Sequence, residues 1–335
     1  MLPKIGNISD ICNFFPLKFC YHCIYYRENV SLPVQTDRFV TTMKKNSFRA
    51  WLLAARPKTL TGAAIPVLIG CSLAHWHGQF QWLPALLCLG FAFLMQIDAN
   101  FMNDLYDYLK GSDRADRLGP DRACAQGWIS PEAMKRGIVL TTVVAAVCGL
   151  CLLAYGGVWM LPVGLACIAF AFLYTAGPYP LAYHGWGDVL VLVFFGFVPV
   201  GCTYYVMAHT WNLPVALASL ACGLVIDTLL MVNNFRDRDQ DAVSGKRTLV
   251  VRFGARFGLV FYYLLGMLAC WCCFYFLSCG KPLAALLPQF YLLPHIFTTV
   301  KMARIGRGKE LNLILGETSR NMLFFGLLLS AGLIF

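Results

Sequence analysis

Charged residues are scarce in this chain. Asp, Glu, Lys and Arg make up 13% of the 335 residues, whereas 59% of the residues are hydrophobic. A soluble globular domain usually carries about 25% charged residues, and a chain this poor in charge cannot hide its apolar surface in a water-soluble fold. The scarcity therefore argues against a soluble protein and predicts a protein of the lipid bilayer.

A second cysteine pair outside the apolar runs is missing as well. Cys20 and Cys23 form a CxxC motif with His22 between them, but a zinc site needs four ligands, normally with a second pair at set spacing. No such pair follows outside the apolar runs. Most other cysteines stand within apolar runs, where cysteine behaves as a small hydrophobic residue. The pattern argues against zinc or redox chemistry.

Nine segments are apolar and long enough for the hydrocarbon core, which needs roughly 20 residues per helix. An all-α, multi-pass membrane protein follows from this pattern. The predicted spans are 59–77, 83–106, 137–155, 158–175, 187–208, 214–235, 257–279, 283–300 and 320–335.

Basic residues are nearly absent from one set of connections between these spans. The connections 75–82, 155–158 and 208–214 contain no Lys or Arg, and 278–283 contains only Lys281. The other 26 of the 27 basic residues lie on the opposite side of a nine-span chain with a cytoplasmic N-terminus. The positive-inside rule makes that side cytoplasmic. This distribution accounts for the formal charge of +10 without nucleic acid as a partner.

No clear signal peptide precedes the first span. Residues 1–47 form an N-terminal extension that mixes cysteine, aromatic and scattered charged residues and contains no span of membrane length. Met43 followed by Lys44 and Lys45 is typical of a natural bacterial start. The hypothesis is that the extension is disordered or reflects a mis-assigned start, and that the membrane domain comprises residues 48–335.

Polar side chains gather where the second span ends. The segment closes with Asn103-Asp104-Leu-Tyr-Asp107. Polar residues at 96, 100, 103 and 107 follow helical spacing and therefore share one helix face. Ionisable and amide groups this close to a span are costly unless they face a cavity or partners.

The sixth span ends in a similar motif. Asn233-Asn234-Phe-Arg-Asp237 repeats the first pattern about 130 residues later, and Asn234, Asp237 and Asp241 again share one helix face. Both motifs emerge on the same side of the membrane. The repeat predicts a cleft built from two similar helix ends.

Two facing acidic helix ends are suited to Mg²⁺ and a diphosphate. Mg²⁺ takes carboxylate and amide oxygens and is usually shared with substrate phosphates. One motif alone would favour a solvated, salt-bridged loop, but two copies with polar stripes inside the membrane favour a functional site. Neighbouring basic residues would bind the phosphates, and these are Lys110, Arg114, Arg236, Lys246 and Arg247.

Five further positions stay open. Arg56 and Lys58 precede the first span, and they either anchor it at the membrane surface or bind an anionic substrate. Asp188 is the best functional candidate near the 176–186 loop, whose aromatic residues are typical of a membrane interface. Asp98 and Asp227 lie deeper and could be protonated residues that pack helices.

At these motifs the chain resembles the UbiA superfamily of intramembrane aromatic prenyltransferases. The most specific matches are Lys-Gly-Ser-Asp at 110–113 with Asp-Arg-Leu-Gly-Pro at 116–120, and Asn-Asn-Phe-Arg-Asp at 233–237 with Gly-Lys-Arg-Thr-Leu at 245–249. The position of Asp113 and the lack of a lysine at 176–186 fit the branch that acts on 1,4-dihydroxy-2-naphthoate better than the 4-hydroxybenzoate branch. Further matching stretches lie at 54–60, 174–178, 185–188 and 252–254.

The resemblance implies a ring of nine helices around a central cavity open to lipid, in the bacterial cytoplasmic membrane, with the active site facing the cytoplasm. It implies transfer of a polyprenyl group from polyprenyl diphosphate to 1,4-dihydroxy-2-naphthoate, with loss of diphosphate and CO₂, giving demethylmenaquinol in menaquinone biosynthesis. The implied catalytic residues are Asp104, Asp107, Asp237 and Asp241. The implied Mg²⁺ ligands are Asn103, Asp107, Asp113, Asn234, Asp237 and Asp241. The implied diphosphate ligands are Lys110, Arg114, Lys246 and Arg247, and those of the acceptor carboxylate are Arg56 and Lys58.

Three alternatives stay open at this point. Another member of the superfamily would use a different acceptor, such as 4-hydroxybenzoate or homogentisate. A cation-coupled carrier would also contain intramembrane acids, although it would not need two diphosphate-type motifs on one membrane face. The third alternative is a non-catalytic scaffold.

Overall fold

The computed structural model describes residues 43–112 and 117–335. The CxxC motif, most of the N-terminal extension, Asp113 and Arg114 lie outside these residues. Within them the chain is helical and contains no strand, which confirms the predicted all-α class. The α-helices are α1 (Phe48–Ala55), α2 (Leu60–Trp76), α3 (Trp82–Leu109), α4 (Pro131–Gly156), α5 (Met160–Thr175), α6 (Gly187–Val191), α7 (Val198–Ala208), α8 (Leu213–Val243), α9 (Leu249–Phe253), α10 (Ala255–Cys273), α11 (Pro282–Leu286), α12 (Leu292–Ile305) and α13 (Leu311–Ile334).

Short segments of other helix types join several of these into longer rods. A π-helical segment, Leu192–Phe197, links α6 to α7, and 3₁₀ segments precede α2, follow α10 and link α11 to α12. Within the described residues, seven rods are long and apolar enough to cross a membrane, and the apolar α5 is shorter. Every predicted span coincides with one of the helices or rods. The count of nine crossings and the cytoplasmic N-terminus stay predictions.

Local capping marks where several helices begin and end. Ser47, Ser130 and Asn212 begin α1, α4 and α8, and the side chain of each accepts a hydrogen bond from the backbone N–H three residues on. These bonds satisfy donors that the first helical turn leaves open. Gly157 follows α4 with a φ of 72°, a conformation that glycine adopts without strain.

Helix α8 is the buried centre of the fold. In its most apolar segment 72% of the residues are buried, compared with 11% for α4. Little of the surface of α4 is covered by other parts of the protein. Its apolar side chains, such as Val139, Leu140 and Val143, are therefore exposed and face the lipid. Helix α8 contacts α10, α13, α7 and the π-helical segment. Helix α8 is 31 residues long and continues past residue 235, the predicted end of the span, so that it includes the second polar motif.

Small residues allow the π-helical segment to approach α8 closely. A Cβ atom added at Gly196 would lie 2.6 Å from the carbonyl oxygen of Ser219 and 3.0 Å from Cα of Gly223. A Cβ atom added at Gly223 would lie 3.2 Å from Cα of Leu192. Membrane helices gain stability from such backbone contacts, because lipid and side chains are equally apolar. This contact sets the cavity wall described below.

We therefore expect Gly196→Ala to destabilise the protein by about 1–3 kcal/mol, since the added methyl group meets backbone atoms that cannot rotate away. Unfolding in detergent, followed by heat or denaturant, measures the change. Gly316→Ala is the matched control, because a Cβ atom there meets no atom within 4 Å. Equal stability of the two variants would contradict the proposed contact.

Candidate active site

A cavity lies between α2, α3, α5, α8 and the rod made of α6, the π-helical segment and α7. Its volume is about 360 Å³. Most of its wall is apolar and aromatic, with Phe91, Met95, Phe170, Phe194 and Phe195 among the lining residues. The polar lining residues include Arg56, Gln96, Asn100, Asn103, Tyr174 and Asn233.

Both polar motifs contribute to this one cavity. Asn103 from α3 and Asn233 from α8 line it, so the structure brings the two predicted helix ends together. The side chain of Asn100 donates hydrogen bonds to the carbonyl of Ala55 and to the hydroxyl of Thr59, each over 3.0 Å. The hydroxyl of Thr175 donates to the side chain of Asn103. These bonds hold the polar face of α3 against α1 and α5.

Asp107, in the first motif, is paired with an arginine that the sequence did not single out. Its Oδ2 lies 3.2 Å from Nη2 of Arg122, which is 7% exposed. A sequence pattern could not reveal the pair, because the arginine stands 15 residues away in an irregular segment. The pair fixes the orientation of one carboxylate at the polar end of the cavity.

Asp104 has a different role in the same motif. It is 1% exposed, and its two carboxylate oxygens accept hydrogen bonds from the backbone N–H groups of Ala123 and Cys124 over 2.9 and 2.8 Å. Like Asp107, Asp237 and Asp241, Asp104 does not itself line the cavity. The structure gives this carboxylate a role in holding the segment that carries Arg122.

The second motif is hydrogen-bonded to α13, a helix far along the chain. The guanidinium of Arg236 donates two hydrogen bonds to Asp237, over 2.7 and 2.6 Å, and a third to the side chain of Asn312 over 2.9 Å. The amide of Asn312 in turn donates to the carbonyl of Leu118 over 2.8 Å. Arg236 is 3% exposed. Its guanidinium is therefore engaged by Asp237 and Asn312, and the phosphate contact suggested by the sequence stays a prediction.

Asp241 is a candidate metal ligand by its surroundings. Its Oδ1 lies 3.6 Å from Nζ of Lys246, and its buried Oδ2 accepts no hydrogen bond from the described residues. Asp241 and Asp107 are close enough for their charges to repel, and Lys246 attracts both. A divalent cation would relieve this repulsion and use the open oxygen.

The donor set fits Mg²⁺ shared with a substrate. Asp107, Asp237, Asp241, Asn103 and Asn234 offer hard oxygen atoms, and Mg²⁺ is usually bound by one or two carboxylates together with substrate phosphates. Among residues 43–112 and 117–335, no three His, Cys, Asp or Glu side chains converge tightly enough to hold a metal by themselves. A metal at this place would thus depend on further oxygen atoms, such as those of a diphosphate.

Two lysines meet at Tyr183, near the polar end of the cavity. The ammonium groups of Lys110 and Lys246 lie 4.8 and 6.0 Å from the centre of its ring, and its hydroxyl contacts that of Ser112 over 2.7 Å. Lys110 also donates to the carbonyl of Thr175. Partial burial lowers the pKa of Lys110, and the nearby carboxylate of Asp107 opposes the shift. The two ammonium groups therefore concentrate positive charge around this ring, beside the two acidic motifs.

The remaining predicted residues differ in their placement. Arg56 lines the cavity and adopts a left-handed backbone conformation with a φ of 52°. Lys58 and Arg247 are exposed and do not line the cavity. Asn234 is 4% exposed and buried within α8. Asp188 and Asp227 are buried as well, beside cavity-lining residues of α6 and α8.

Known proteins resemble this chain in both sequence and fold. The sequence profile described as the UbiA prenyltransferase family matches residues 63–314. A 1,4-dihydroxy-2-naphthoate octaprenyltransferase of Escherichia coli (strain K12) is 42% identical over 221 residues, which is 64% of this chain and 72% of that protein. A protein of the same name from Mycobacterium tuberculosis is 34% identical over 301 residues, which is 86% of this chain and 98% of that protein.

The fold has a counterpart among solved structures. A UbiA homolog from Archaeoglobus fulgidus, bound to GPP and Mg²⁺, superimposes with a TM-score of 0.62 at 15% sequence identity, covering 85% of this chain and 99% of that one. At this identity the likeness speaks for the fold alone. The sequence profile covers three quarters of the chain, and the helices follow the same architecture, so the chain belongs to the UbiA prenyltransferase family.

Proposed function

We propose that this protein transfers a polyprenyl group from polyprenyl diphosphate to 1,4-dihydroxy-2-naphthoate, releasing diphosphate and CO₂ and forming demethylmenaquinol for menaquinone biosynthesis. The observation that carries the proposal is that Asn103 of one Asp/Asn motif and Asn233 of the other line one largely apolar cavity. The choice of acceptor is supported by the names of the relatives from Escherichia coli and Mycobacterium tuberculosis.

Mg²⁺ is the cofactor that we infer for the donor site. Bound there, it would offset the negative charge that builds on the leaving diphosphate. The proposed ligands are Asp107, Asp237 and Asp241 with the amide oxygens of Asn103 and Asn234. Asp113, which the family resemblance adds to this set, lies outside the described residues. Arg122 and Arg236 hold two of the carboxylates in place.

Lys110 and Lys246 are the proposed diphosphate ligands with the strongest structural support. Both lie beside Tyr183 and close to the acidic motifs, and a charge-assisted hydrogen bond from an ammonium group to a phosphate oxygen is strong. Arg247 and Arg114 stay candidates from the resemblance. Asp104 is assigned a positioning role, because both of its oxygens are engaged by the backbone.

The apolar part of the cavity suits the prenyl chain. Ionisation of the allylic C–O bond would leave a cation that water can capture, and an aromatic and aliphatic wall would keep water away from it. Arg56, which lines the cavity, is the proposed ligand of the acceptor carboxylate, whereas Lys58 is exposed outside the cavity. The positive-inside distribution supports an active site on the cytoplasmic face of the bacterial inner membrane.

The acceptor is tested with the full-length protein in membranes that lack other prenyltransferases of this kind. Polyprenyl diphosphate and Mg²⁺ are supplied with 1,4-dihydroxy-2-naphthoate, 4-hydroxybenzoate or homogentisate, and the products are identified by mass spectrometry. We expect prenylated, decarboxylated product from the naphthoate alone. Transfer only to another acceptor, or uptake of a cation without diphosphate release, would overturn the proposal.

Neutral variants of the two motifs test the metal assignment. We expect Asp107→Asn and Asp237→Asn to lower turnover by roughly 100-fold, because each removes a negative charge from the proposed Mg²⁺ site. Both should raise the Mg²⁺ concentration needed for half-maximal activity. Full activity of both variants at the wild-type Mg²⁺ concentration would contradict the assignment.

Asp104→Asn makes the same chemical change at a neighbouring position of the first motif. Because an asparagine offers a single acceptor oxygen, one of the two backbone N–H groups at Ala123 and Cys124 loses its partner. We expect the free energy of unfolding to fall by about 1–3 kcal/mol, while the Mg²⁺ requirement of the remaining activity stays at the wild-type value. A raised Mg²⁺ requirement would instead identify Asp104 as a metal ligand.

A further inference from the structure

One side chain outside both motifs contacts the supports of each. Asn312 lies in the first turn of α13 and does not line the cavity. Its Oδ1 accepts a hydrogen bond from Nη1 of Arg236 over 2.9 Å, and its Nδ2 donates to the carbonyl oxygen of Leu118 over 2.8 Å. These partners are 76 and 194 residues away in the chain, so only the packing of α13 brings the three groups together.

The two contacts of this side chain need an amide. An arginine side chain can only donate hydrogen bonds, and a backbone carbonyl can only accept them. The oxygen of the Asn312 amide must therefore face Arg236, and its NH₂ group must face Leu118. A side chain of similar size without these groups, such as leucine, would break both contacts.

On one side the amide fixes the arginine that binds Asp237. Arg236 directs Nε and Nη2 at the two oxygens of Asp237, over 2.7 and 2.6 Å, and Nη1 at Asn312. A guanidinium is planar, so a partner at its third nitrogen fixes the rotation of the plane. Arg236 is buried, so bulk water does not compete for this contact. The orientation of the Asp237 carboxylate is thus linked to Asn312.

On the other side the amide holds the irregular segment that follows the first motif. Leu118 precedes Arg122 in this segment, and the guanidinium of Arg122 lies 3.2 Å from the carboxylate of Asp107. The hydrogen bond to Leu118 fastens this segment to the start of α13. Asn312 thus joins the support of the carboxylate in the first motif to the support of a carboxylate in the second.

Close packing at Gly119 brings the same segment directly against the second motif. A Cβ atom added at Gly119 would lie 2.8 Å from Nη2 of Arg236. Three hydrogen bonds hold that guanidinium, so it cannot move aside without losing contacts to Asp237 or Asn312. A side chain at position 119 would therefore displace Arg236 while Asn312 itself stays unchanged.

The proposed metal site needs carboxylates from both motifs at a fixed spacing. Mg²⁺ demands near-ideal octahedral geometry, with ligands at about 2.0–2.1 Å. Carboxylates of like charge on two helices repel each other, and a hydrogen-bonded link between their supports opposes their separation. When a partner that orients a metal ligand is lost, metal affinity typically falls by about 10–100-fold.

We propose that Asn312 is a positioning residue that holds Asp107 and Asp237 at the spacing that a Mg²⁺–diphosphate complex requires. It acts through Arg236 and through the segment of Leu118. This inference rests on the proposed function and assigns a role to α13, a helix that contributes no residue to the cavity. Loss of the amide should weaken the binding of diphosphate with Mg²⁺ and leave the binding of the aromatic acceptor unchanged.

Binding of inorganic diphosphate in the presence of Mg²⁺ tests this role without turnover. For Asn312→Leu in the full-length protein in detergent, we expect the dissociation constant of diphosphate at a fixed Mg²⁺ concentration, measured by titration calorimetry, to rise roughly tenfold. KM for polyprenyl diphosphate should rise by a similar factor, whereas KM for the aromatic acceptor should stay within about twofold of wild type. Asn312→Gln should bind diphosphate more tightly than Asn312→Leu, because it retains both hydrogen-bonding groups.

Asn321→Leu is the matched control on the same helix. The amide of Asn321 is buried further along α13 and donates to the hydroxyl of Thr298 over 3.0 Å. This variant loses a hydrogen bond of α13 away from both motifs, so it should keep the wild-type dissociation constant of diphosphate. An effect of general destabilisation of α13 would change both variants alike.

Gly119→Ala provides a second test should Asn312→Leu fail to fold. Its methyl group displaces the guanidinium of Arg236 and should raise the dissociation constant of diphosphate in the same way. A wild-type dissociation constant in Asn312→Leu, or in Gly119→Ala where only that variant folds, overturns the inference, and so does an equal rise in Asn321→Leu. A wild-type protein that prenylates no dihydroxynaphthoate, whatever its affinity for diphosphate, overturns the proposed function instead.

Discussion

The lack of hydrogen-bonding partners in lipid is the constraint on which the rest of this structure depends. A polar group at membrane depth must be satisfied by protein, a ligand or an aqueous cavity. The chain meets this constraint by placing its polar side chains on α3 and α8 toward the interior, and by exposing apolar side chains of α4 to lipid. The central cavity is where the polar faces of the helices meet.

The two polar motifs look alike in sequence but are supported differently. In the first, Arg122 pairs with Asp107, and Asp104 holds two backbone N–H groups of the segment that carries the arginine. In the second, Arg236 lies next to the carboxylate it orients and is tied to α13 through Asn312. Both arrangements hold negatively charged carboxylates near one another. Because these carboxylates repel each other, the site needs compensating positive charge. Lys110 and Lys246 at Tyr183 contribute part of it.

Close packing decides where the cavity wall stands. Gly196 and Gly223 let the π-helical segment approach α8 at backbone distance, and the aromatic residues Phe194 and Phe195 of that segment line the cavity. The same approach brings the start of α6, which carries the buried Asp188, into contact with α8, which carries the buried Asp227. The apolar wall of the cavity thus follows from one helix–helix contact.

The amino-acid sequence by itself determined the helices and the polar faces of two of them. Apolar length and helical spacing are local properties, so residue spacing alone assigns Asn103 and Asp107 to one helix face, and Asp237 and Asp241 to another. The motifs of the UbiA family are visible in the same way. The Lys/Arg asymmetry predicted the orientation in the membrane.

Only the tertiary structure decided which groups meet. Asp104 and Asp107 stand in one motif, yet one binds a backbone segment and the other an arginine, because the segment with Ala123, Cys124 and Arg122 folds against α3. Likewise, the open carboxylates of Asp188 and Asp227 could not be told from the satisfied Asp98 in the sequence. Their difference depends on whether Thr141 and Thr142 or an apolar wall lies opposite. Such contacts join residues far apart in the chain, and no local spacing encodes them.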